Sequence, residues 1–289
     1  MTAISKELQT KILDRLEFNE PVSADIQTLQ RLYSSWCMYV PFDNLRKMIA
    51  LKSGNKQSLP GLDAPDFFEN WLENGCGATC WPMANAFYEL LISVGFDAQR
   101  IAGYMMDLGV INHGSLKVLI NGKYYIVEAA LLLNQILPLD GNSIINTDPV
   151  YPFEFEKEGE SYLLWLLSPV TNEFFYCRII SSPVGFPFFD ERYEASRELS
   201  VFNQSLYARR NYTDKLIIIR GNSYFSMTAK GLEQRDLSRD EVCLALRNDI
   251  GISEKLIEEC VSSGCLDASS EKPSDVPPSS ITLKPPSQR

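Results

Sequence analysis

The sequence predicts an α+β protein with an N-terminal helical lobe, an antiparallel barrel-like β lobe in the middle and a small α/β lobe towards the C-terminus. Two observations support this prediction. Apolar residues recur every three or four positions near the start of the chain, and short runs rich in Val, Ile, Tyr and Phe then alternate with Gly, Pro and Asn. A chain of 289 residues is long enough for several lobes that share a core.

The helical lobe is expected over residues 1–97 and the β lobe over residues 98–212. Two stretches of the first lobe place apolar side chains on one helical face. They are Leu8, Ile12, Leu13 and Leu16, followed by Ile26, Leu29, Leu32 and Tyr33. The second lobe begins where the helical spacing gives way to short runs of strand-forming residues.

The α/β lobe is expected over residues 213–265. Its segment KLIIIRGNSYFSMTAKG predicts a hairpin that turns at Gly221 and Asn222, and a helix is expected over residues 238–248. Residues 266–289 are rich in Pro and Ser and carry few apolar side chains. Because such a segment buries too little surface to offset its loss of entropy on ordering, we expect a disordered tail there.

The charge balance excludes two classes of partner. A net charge of −10 and a pI near 4.8 provide no cluster of Lys and Arg for nucleic acid or for an anionic membrane. The first residues lack the pattern of a signal peptide, and no apolar run approaches the ~18 residues of a membrane helix. We therefore expect a soluble, cytoplasmic protein.

The cysteines predict reduced thiols. They are odd in number and widely scattered, in a chain with no export signal. They are Cys37, Cys76, Cys80, Cys177, Cys243, Cys260 and Cys265. With a single histidine and no second close pair of cysteines, no zinc or other metal site is expected.

Cys80 is predicted to lie at the N-terminus of a helix. Apolar residues fall on one helical face from Trp81 onwards, Pro82 suits a first helical turn, and Gly95 supplies the stop. The unpaired N–H groups and the positive dipole end of a helix favour a thiolate, which is the nucleophilic form of cysteine. The alternative is that Cys80 is a small buried core residue, which is the common fate of free cysteine.

The only histidine, His113, is the candidate base for such a cysteine. It opens the segment HGSLKVLINGKYYIVEAA, in which two strand-like runs are joined by Asn121-Gly122, a strong hairpin signal. A single histidine can equally be an ordinary surface or core residue. The hairpin matters because it determines which residues face His113.

The hairpin brings Glu128 next to His113. With Asn121 and Gly122 as the turn, Ile120 pairs with Lys123, and the register continues towards Glu128. Strand alternation then makes Glu128 the diagonal neighbour of His113 on one face. A carboxylate there can fix the imidazole tautomer and stabilise the imidazolium. The alternative is a solvated charge on an exposed sheet face.

Together these features resemble the arylamine N-acetyltransferases, whose catalytic core is related to papain-like proteases and transglutaminases. The segment VPFDNL at residues 40–45 is similar to the family's N-terminal signature, and the fifteen positions from His113 to Glu128 match its spacing. The resemblance covers about residues 5–260. It implies a fold of the arylamine N-acetyltransferase type with a cysteine-protease-like core.

The resemblance also implies roles for individual residues. Cys80 would be the nucleophile, His113 the base and Glu128 the acid that orients it, with Phe42 and Trp81 in contact with substrate. Acetyl-CoA would be a co-substrate and a small amine the acceptor, with no tightly bound cofactor.

The chain departs from the family pattern at three places. Residues 76–82 read CGATCWP, so the Arg and the Glu that usually flank the cysteine are both missing, and Glu128 stands where most members carry Asp. The glycines that usually follow that acid are replaced by Ala-Ala-Leu-Leu at residues 129–132, where bulk would narrow the cleft.

The predicted reaction is a ping-pong transfer of an acyl group from a CoA thioester, through Cys80, to an arylamine, hydrazine or hydroxylamine. Three alternatives remain open at this point. They are an amide synthase of the same family, a transglutaminase-like or hydrolytic enzyme with the same triad, and a non-catalytic binding protein.

Overall fold

The structure is a computed structural model that describes residues 3–54, 57–171, 173–266 and 283–289. The α-helices are α1 (Lys6–Arg15), α2 (Ile26–Tyr39), α3 (Leu45–Lys52), α4 (Ala64–Asn74), α5 (Cys80–Ser93), α6 (Phe186–Leu199), α7 (Arg239–Ala245) and α8 (Glu254–Ser262). The strands up to residue 138 are β1 (Phe42–Asp43), β2 (Asp97–Met105), β3 (His113–Ile120), β4 (Lys123–Val127) and β5 (Leu137–Pro138). The later strands are β6 (Ile144–Asn146), β7 (Phe153–Glu158), β8 (Ser161–Leu167), β9 (Phe174–Ile180), β10 (Tyr207–Asn211), β11 (Lys215–Arg220), β12 (Ser223–Thr228) and β13 (Gly231–Asp236).

The N-terminal lobe is helical, as predicted. The side chains of Ser5 and Asp25 cap α1 and α2 by accepting N–H groups of their first turns. Aromatic side chains fill the space between α2, α4 and α5. Trp36 lies at ring-centroid distances of 5.9 Å from Phe67 and 4.6 Å from Phe87.

The middle lobe is a curled antiparallel sheet in the order β5-β4-β3-β2-β9-β8-β7-β6. Helix α5 packs against β2 and β3. A buried ion pair joins them, in which Arg100 donates to Glu89 at 2.6 Å and to the Asn85 side chain at 2.7 Å. These contacts fix the helix that begins at Cys80 against β2, which pairs with the strand that begins at His113.

Both predicted hairpins are confirmed. Ile120 pairs with Lys123 across Asn121-Gly122, and both turn residues have positive φ, as a tight turn of this kind requires. Arg220 likewise pairs with Ser223. The predicted C-terminal helix is α7, which begins after a Ser238 capping box.

The second sheet has the order β1-β10-β11-β12-β13. Its edge strand β1 comes from the first lobe, and β10 lies before residue 213, where the α/β lobe was expected to begin. The strands β1 and β10 pair antiparallel, with Phe42 opposite Arg209 and Asp43 opposite Ala208. The expected limits at residues 97 and 212 therefore do not separate independent sheets.

Helix α6 lies inside the stretch that the strand-like composition assigned to the β lobe. Pro187 suits its first turn, and Phe189 and Tyr193 bury one face at helical spacing. The Phe-rich start of this segment masked that spacing in the sequence.

Among the described residues, no helix has the length and apolar character needed to cross a bilayer.

The predicted disordered tail is described only in part. Residues 267–282 lie outside the described residues. Residues 283–289 lie against β7, which differs from the expectation for this part of the tail. Ser287 donates to the Glu154 carboxylate, and Arg289 donates to Glu156 at 2.7 Å. Two carboxylates of β7 thus accept hydrogen bonds from residues 283–289.

Candidate active site

Cys80 opens helix α5, as predicted. Thr79 is the N-cap residue and has an extended backbone, so the unpaired N–H groups of the first turn lie at the end that carries Cys80. The positive end of the helix dipole lies there too and favours a negative sulfur.

At two positions the loop before Cys80 passes too close to other backbone segments to carry a side chain. A Cβ on Gly77 would lie 1.7 Å from the carbonyl oxygen of Pro41, and a Cβ on Gly75 would lie 2.0 Å from that of Gly251. Gly75 also has a φ of 70°, which disfavours other residues. Glycine at both positions therefore permits the tight approach that places the sulfur.

Asp43 holds this loop from the other side. Its carboxylate accepts the N–H of Gly77 at 2.6 Å and that of Leu45 at 3.1 Å, and its own N–H donates to the carbonyl of Ala78 at 3.2 Å. Burial raises the pKa of Asp43 to about 6, against the effect of those hydrogen bonds. The segment VPFDNL thus acts as a clamp on the loop that carries the cysteine.

Asn44, next in the same segment, ties the clamp to the C-terminal half of the chain. Its side-chain amide donates to the carbonyls of Phe202 at 2.7 Å and Ser205 at 2.8 Å, and its side-chain oxygen accepts the N–H of Tyr207 at 2.8 Å. All the polar groups of this side chain are therefore used in positioning.

His113 opens β3 and Glu128 directly follows β4, and their side chains lie side by side. The Nε2 atom of His113 is 2.9 Å from Oε2 of Glu128, and the side chains are 3% and 0% exposed. The alternative of a solvated Glu128 is therefore wrong. With Nε2 committed to the carboxylate, Nδ1 is the nitrogen left for the thiol.

The side chains of Cys80 and His113 interact electrostatically, and the Cys80 sulfur lies 3.8 Å from the carbonyl oxygen of Asn112, the residue before His113. Burial disfavours the thiolate, but the interaction with His113, the N–H of Gly114 and the charge of Lys47 outweigh it, so the pKa of Cys80 is lowered. Burial alone would lower the pKa of His113, but the charge of Glu128 and the interactions with Cys80 and Glu128 raise it to about 10. The arrangement favours a thiolate–imidazolium pair.

Two aromatic residues of α2 support the acid from behind. The hydroxyl of Tyr33 donates to the backbone carbonyl of Glu128 at 2.7 Å, and the indole of Trp36 donates to that of Ala129 at 2.8 Å. Sequence reasoning missed these contacts because they join residues 95 and 93 positions apart. They fix the backbone from which the carboxylate projects.

Phe42 and Trp81 are buried, with 6% and 2% of their surfaces exposed. Phe42 packs on Phe202 and Tyr207, while Trp81 packs edge-on against Phe189 at 4.9 Å. Their role as substrate contacts stays a prediction. In this structure both side chains support the elements that carry the cysteine and the histidine.

Lys47 is a site residue that sequence reasoning missed. It is buried, and its ammonium donates to the carbonyl and the hydroxyl of Ser196 at 3.1 and 2.8 Å. Burial lowers the pKa of Lys47 to about 8, while the charge of Cys80 works in the opposite direction. The only available signal was a lysine next to the VPFDNL segment, which carries little information by itself.

Residues 25–257 match the family model described as N-acetyltransferase, and this range is well over half of the 289-residue chain. The chain belongs to the arylamine N-acetyltransferase family. Within the described residues, no group of three or more His, Cys, Asp and Glu side chains is placed to hold a metal ion.

Solved arylamine N-acetyltransferase structures share the fold, which confirms the predicted fold class. One of them is the Mycobacterium marinum enzyme in complex with CoA. Its TM-score is 0.75 at 18% identity, and the match covers 89% of this chain and 96% of that one. At this level of identity the likeness concerns the fold.

Two curated relatives match shorter parts of the chain. Proansamycin X synthase of Amycolatopsis mediterranei is 28% identical over 91 residues, which are 32% of this chain. Arylamine N-acetyltransferase 1 of Mesocricetus auratus is 27% identical over 124 residues, which are 40% of this chain. The matched parts span 34% and 40% of the length of these relatives.

The structure shows how the chain accommodates two of its departures from the family pattern. The carboxylate of Glu128 reaches His113 despite its extra methylene. Leu132 adopts a φ of 54°, a conformation that glycine adopts freely, and it is fully buried. Its backbone N–H donates to the carbonyl of Glu128 at 3.2 Å. A buried leucine thus holds a backbone conformation here that favours glycine.

Proposed function

We propose that this family member transfers an acetyl or other acyl group from a CoA thioester, through a Cys80 thioester, to an arylamine, hydrazine or hydroxylamine. The observation that carries the proposal is the buried relay from Glu128 through His113 to Cys80 at the head of α5. Such a relay supplies a nucleophile and a proton carrier in one place.

In the first half-reaction the Cys80 thiolate attacks the thioester carbonyl. The N–H groups at the first turn of α5 are oriented to stabilise the oxyanion. The carbon–sulfur bond to CoA then breaks, and the leaving sulfur takes the proton of the His113 imidazolium. Glu128 holds the imidazole in the tautomer that this transfer needs.

In the second half-reaction the amine nitrogen attacks the Cys80 thioester. His113 accepts the proton of the amine, the bond from carbonyl carbon to Cys80 breaks, and the thiolate is regenerated with the amide as product. Acetyl-CoA is consumed as a co-substrate. The similar Mycobacterium marinum structure is described in complex with CoA, which supports a CoA thioester as donor.

A second candidate is acyl transfer to a different acceptor, as in an amide synthase. Two observations favour it: the match to a proansamycin X synthase and the bulky residues 129–132 after the acid. The first half-reaction would be the same.

All cysteines in the chain are free, which supports the proposal that the protein works in the cytoplasm.

The test is intact-protein mass after brief incubation with acetyl-CoA, with Cys80→Ala as the control. We expect the native chain to gain one acetyl group and the variant to gain none. Addition of an arylamine should remove the group as the acetylated amine. Removal by water alone at the same rate would indicate a hydrolase, and no gain at all would exclude acetyl-CoA as the donor.

A further inference from the structure

A cavity of about 170 Å³ lies between the eight-stranded and the five-stranded sheet. Its walls are mainly apolar and come from several separate segments of the chain. Leu132, Val150, Phe175 and Ile218 are among the apolar residues that line it. The lining contains neither Cys80 nor His113.

Two arginines, Arg209 and Arg220, also line this cavity. Arg209 lies opposite Ile218 across β10 and β11, and Arg220 lies opposite Tyr207. Since side chains alternate along a strand, both arginines lie on the same face as diagonal neighbours, with Cα atoms about 7–8 Å apart. Two like charges on such neighbours in an apolar wall disfavour each other unless an anion joins them.

Neither guanidinium has an acidic partner within the part of the chain that the structure describes, and no Asp or Glu lines the cavity. Arg209 donates through Nε to the side-chain oxygen of Asn211 at 3.0 Å, which leaves its two terminal nitrogens for other acceptors. The chain has 37 acidic and 27 basic residues, so carboxylates are in excess. Three other half-buried or buried arginines do find them: Arg46 pairs with Asp66, Arg100 with Glu89 and Arg178 with Asp107.

Hydrogen bonds through Asn211 hold the side chain of Arg209 in place. The side-chain amide of Asn211 donates to the carbonyl of Leu132 at 2.8 Å, and Leu132 itself lines the cavity. Arg209, Asn211 and Leu132 thus form a connected wall. A wall that is ordered before binding reduces the entropy cost of holding a ligand.

We propose that this cavity binds an organic carboxylate with a small apolar body, the carboxylate lying between Arg209 and Arg220. Guanidinium groups bind carboxylates through paired hydrogen bonds, and the apolar walls accept the body of the ligand. The size fits one substituted aromatic ring, because a cavity of about 150 Å³ accepts benzene. This goes beyond the proposed function, because binding here requires no reaction at Cys80.

The probe is 3-phenylpropanoate, compared with its neutral isostere 3-phenylpropanamide, by titration calorimetry on the native full-length chain. We expect the acid to bind about tenfold or more tightly than the amide, which is the difference expected for charge-assisted hydrogen bonds. Arg220→Gln should remove this selectivity, and Arg220→Lys should retain part of it. Arg235→Gln, on the exposed strand β13 of the same sheet, is the matched control and should change nothing.

Three results would overturn the proposal. They are equal binding of acid and amide, acid binding that survives Arg209→Gln combined with Arg220→Gln, and displacement of the acid by CoA, which would make the cavity part of the donor site. Thermal unfolding without ligand separates loss of binding from loss of fold in each variant. Repeating the titration on Cys80→Ala separates this proposal from the acyl-transfer proposal, since the acid should still bind.

Discussion

The carboxylate of Asp43 accepts the backbone N–H of Gly77 at 2.6 Å and so joins an edge strand to the loop that ends at Cys80. Both of its oxygens accept N–H groups, and 1% of the residue is exposed. The position of the nucleophile thus depends on a carboxylate that takes no part in the proposed chemistry.

Asp43→Asn should destabilise the protein. An amide offers one acceptor where two N–H groups require one each, so a buried donor is left without a partner at a cost of about 1–3 kcal/mol. The measurement is the free energy of unfolding in urea, with the exposed Asp14→Asn as control. Equal stability of both variants would contradict the clamp.

Asp43 should also make the stability of the protein depend on pH. Burial raises the pKa of Asp43 from 3.8 in the unfolded reference to about 6. The native state therefore binds more protons than the unfolded state between these values, and the contribution of Asp43 to stability falls as pH rises from about 4 to about 6. Asp43→Asn should remove that decline, which parallel unfolding curves across this range would reveal.

Cys80 should be the fastest thiol to alkylate at pH 7. Its pKa is lowered by His113, whereas burial raises the pKa of the half-buried Cys243. The pKa of Cys265 is lowered to about 7 by Cys260, but Cys265 is fully buried. Peptide mapping after brief treatment with iodoacetamide measures the order.

His113→Ala should slow alkylation of Cys80 by about tenfold or more, because burial then raises the thiol pKa without opposition from the imidazolium. The rate at Cys243 serves as the internal control and should not change. A rate at Cys80 that is no faster than at Cys243 in the native chain would favour a structural cysteine.

Glu128→Gln should lower the rate of Cys80 acetylation by roughly 10²–10⁴-fold, because an amide neither stabilises the imidazolium nor fixes its tautomer. Glu128→Asp keeps the charge but shortens the reach across the 2.9 Å contact, so we expect an intermediate loss. The single-turnover rate by mass spectrometry separates the three proteins. Equal rates in Glu128→Gln and the native chain would exclude the orienting role.

Removing one partner of the buried Arg100–Glu89 pair should cost about 3–5 kcal/mol, because a charge is left buried without its counter-ion. Glu89→Gln tests this by urea unfolding. The exposed pair of Lys11 and Glu7 in α1 is the matched control, and Lys11→Gln should give no measurable change. Comparable losses in the two variants would contradict the importance of burial.

The sequence was sufficient for features that depend on neighbours along the chain. The Asn121-Gly122 turn fixed the register that brings Glu128 to His113, and the apolar spacing after Cys80 located the helix. These predictions work because strand alternation and helical periodicity are local rules.

Contacts between distant segments could not be predicted. The pairing of β1 with β10, the hydrogen bond of Tyr33 to Glu128 and that of Lys47 to Ser196 join residues about a hundred or more positions apart. Each depends on how whole elements pack, and no local pattern encodes it. The sequence therefore predicted the position of Cys80 and the contact of His113 with Glu128, but not the contacts that hold these residues in place.

The bonds from Asn44 to Phe202, Ser205 and Tyr207 have a consequence for a chain that is being synthesised. Cys80 is synthesised early, but strand β10, which pairs with β1 beside the loop that carries the cysteine, is complete only after residue 211. A nascent chain that has reached only the middle sheet has no β10 to anchor the clamp. We expect the loop that carries Cys80 to lack this anchor until the C-terminal part of the chain has been made.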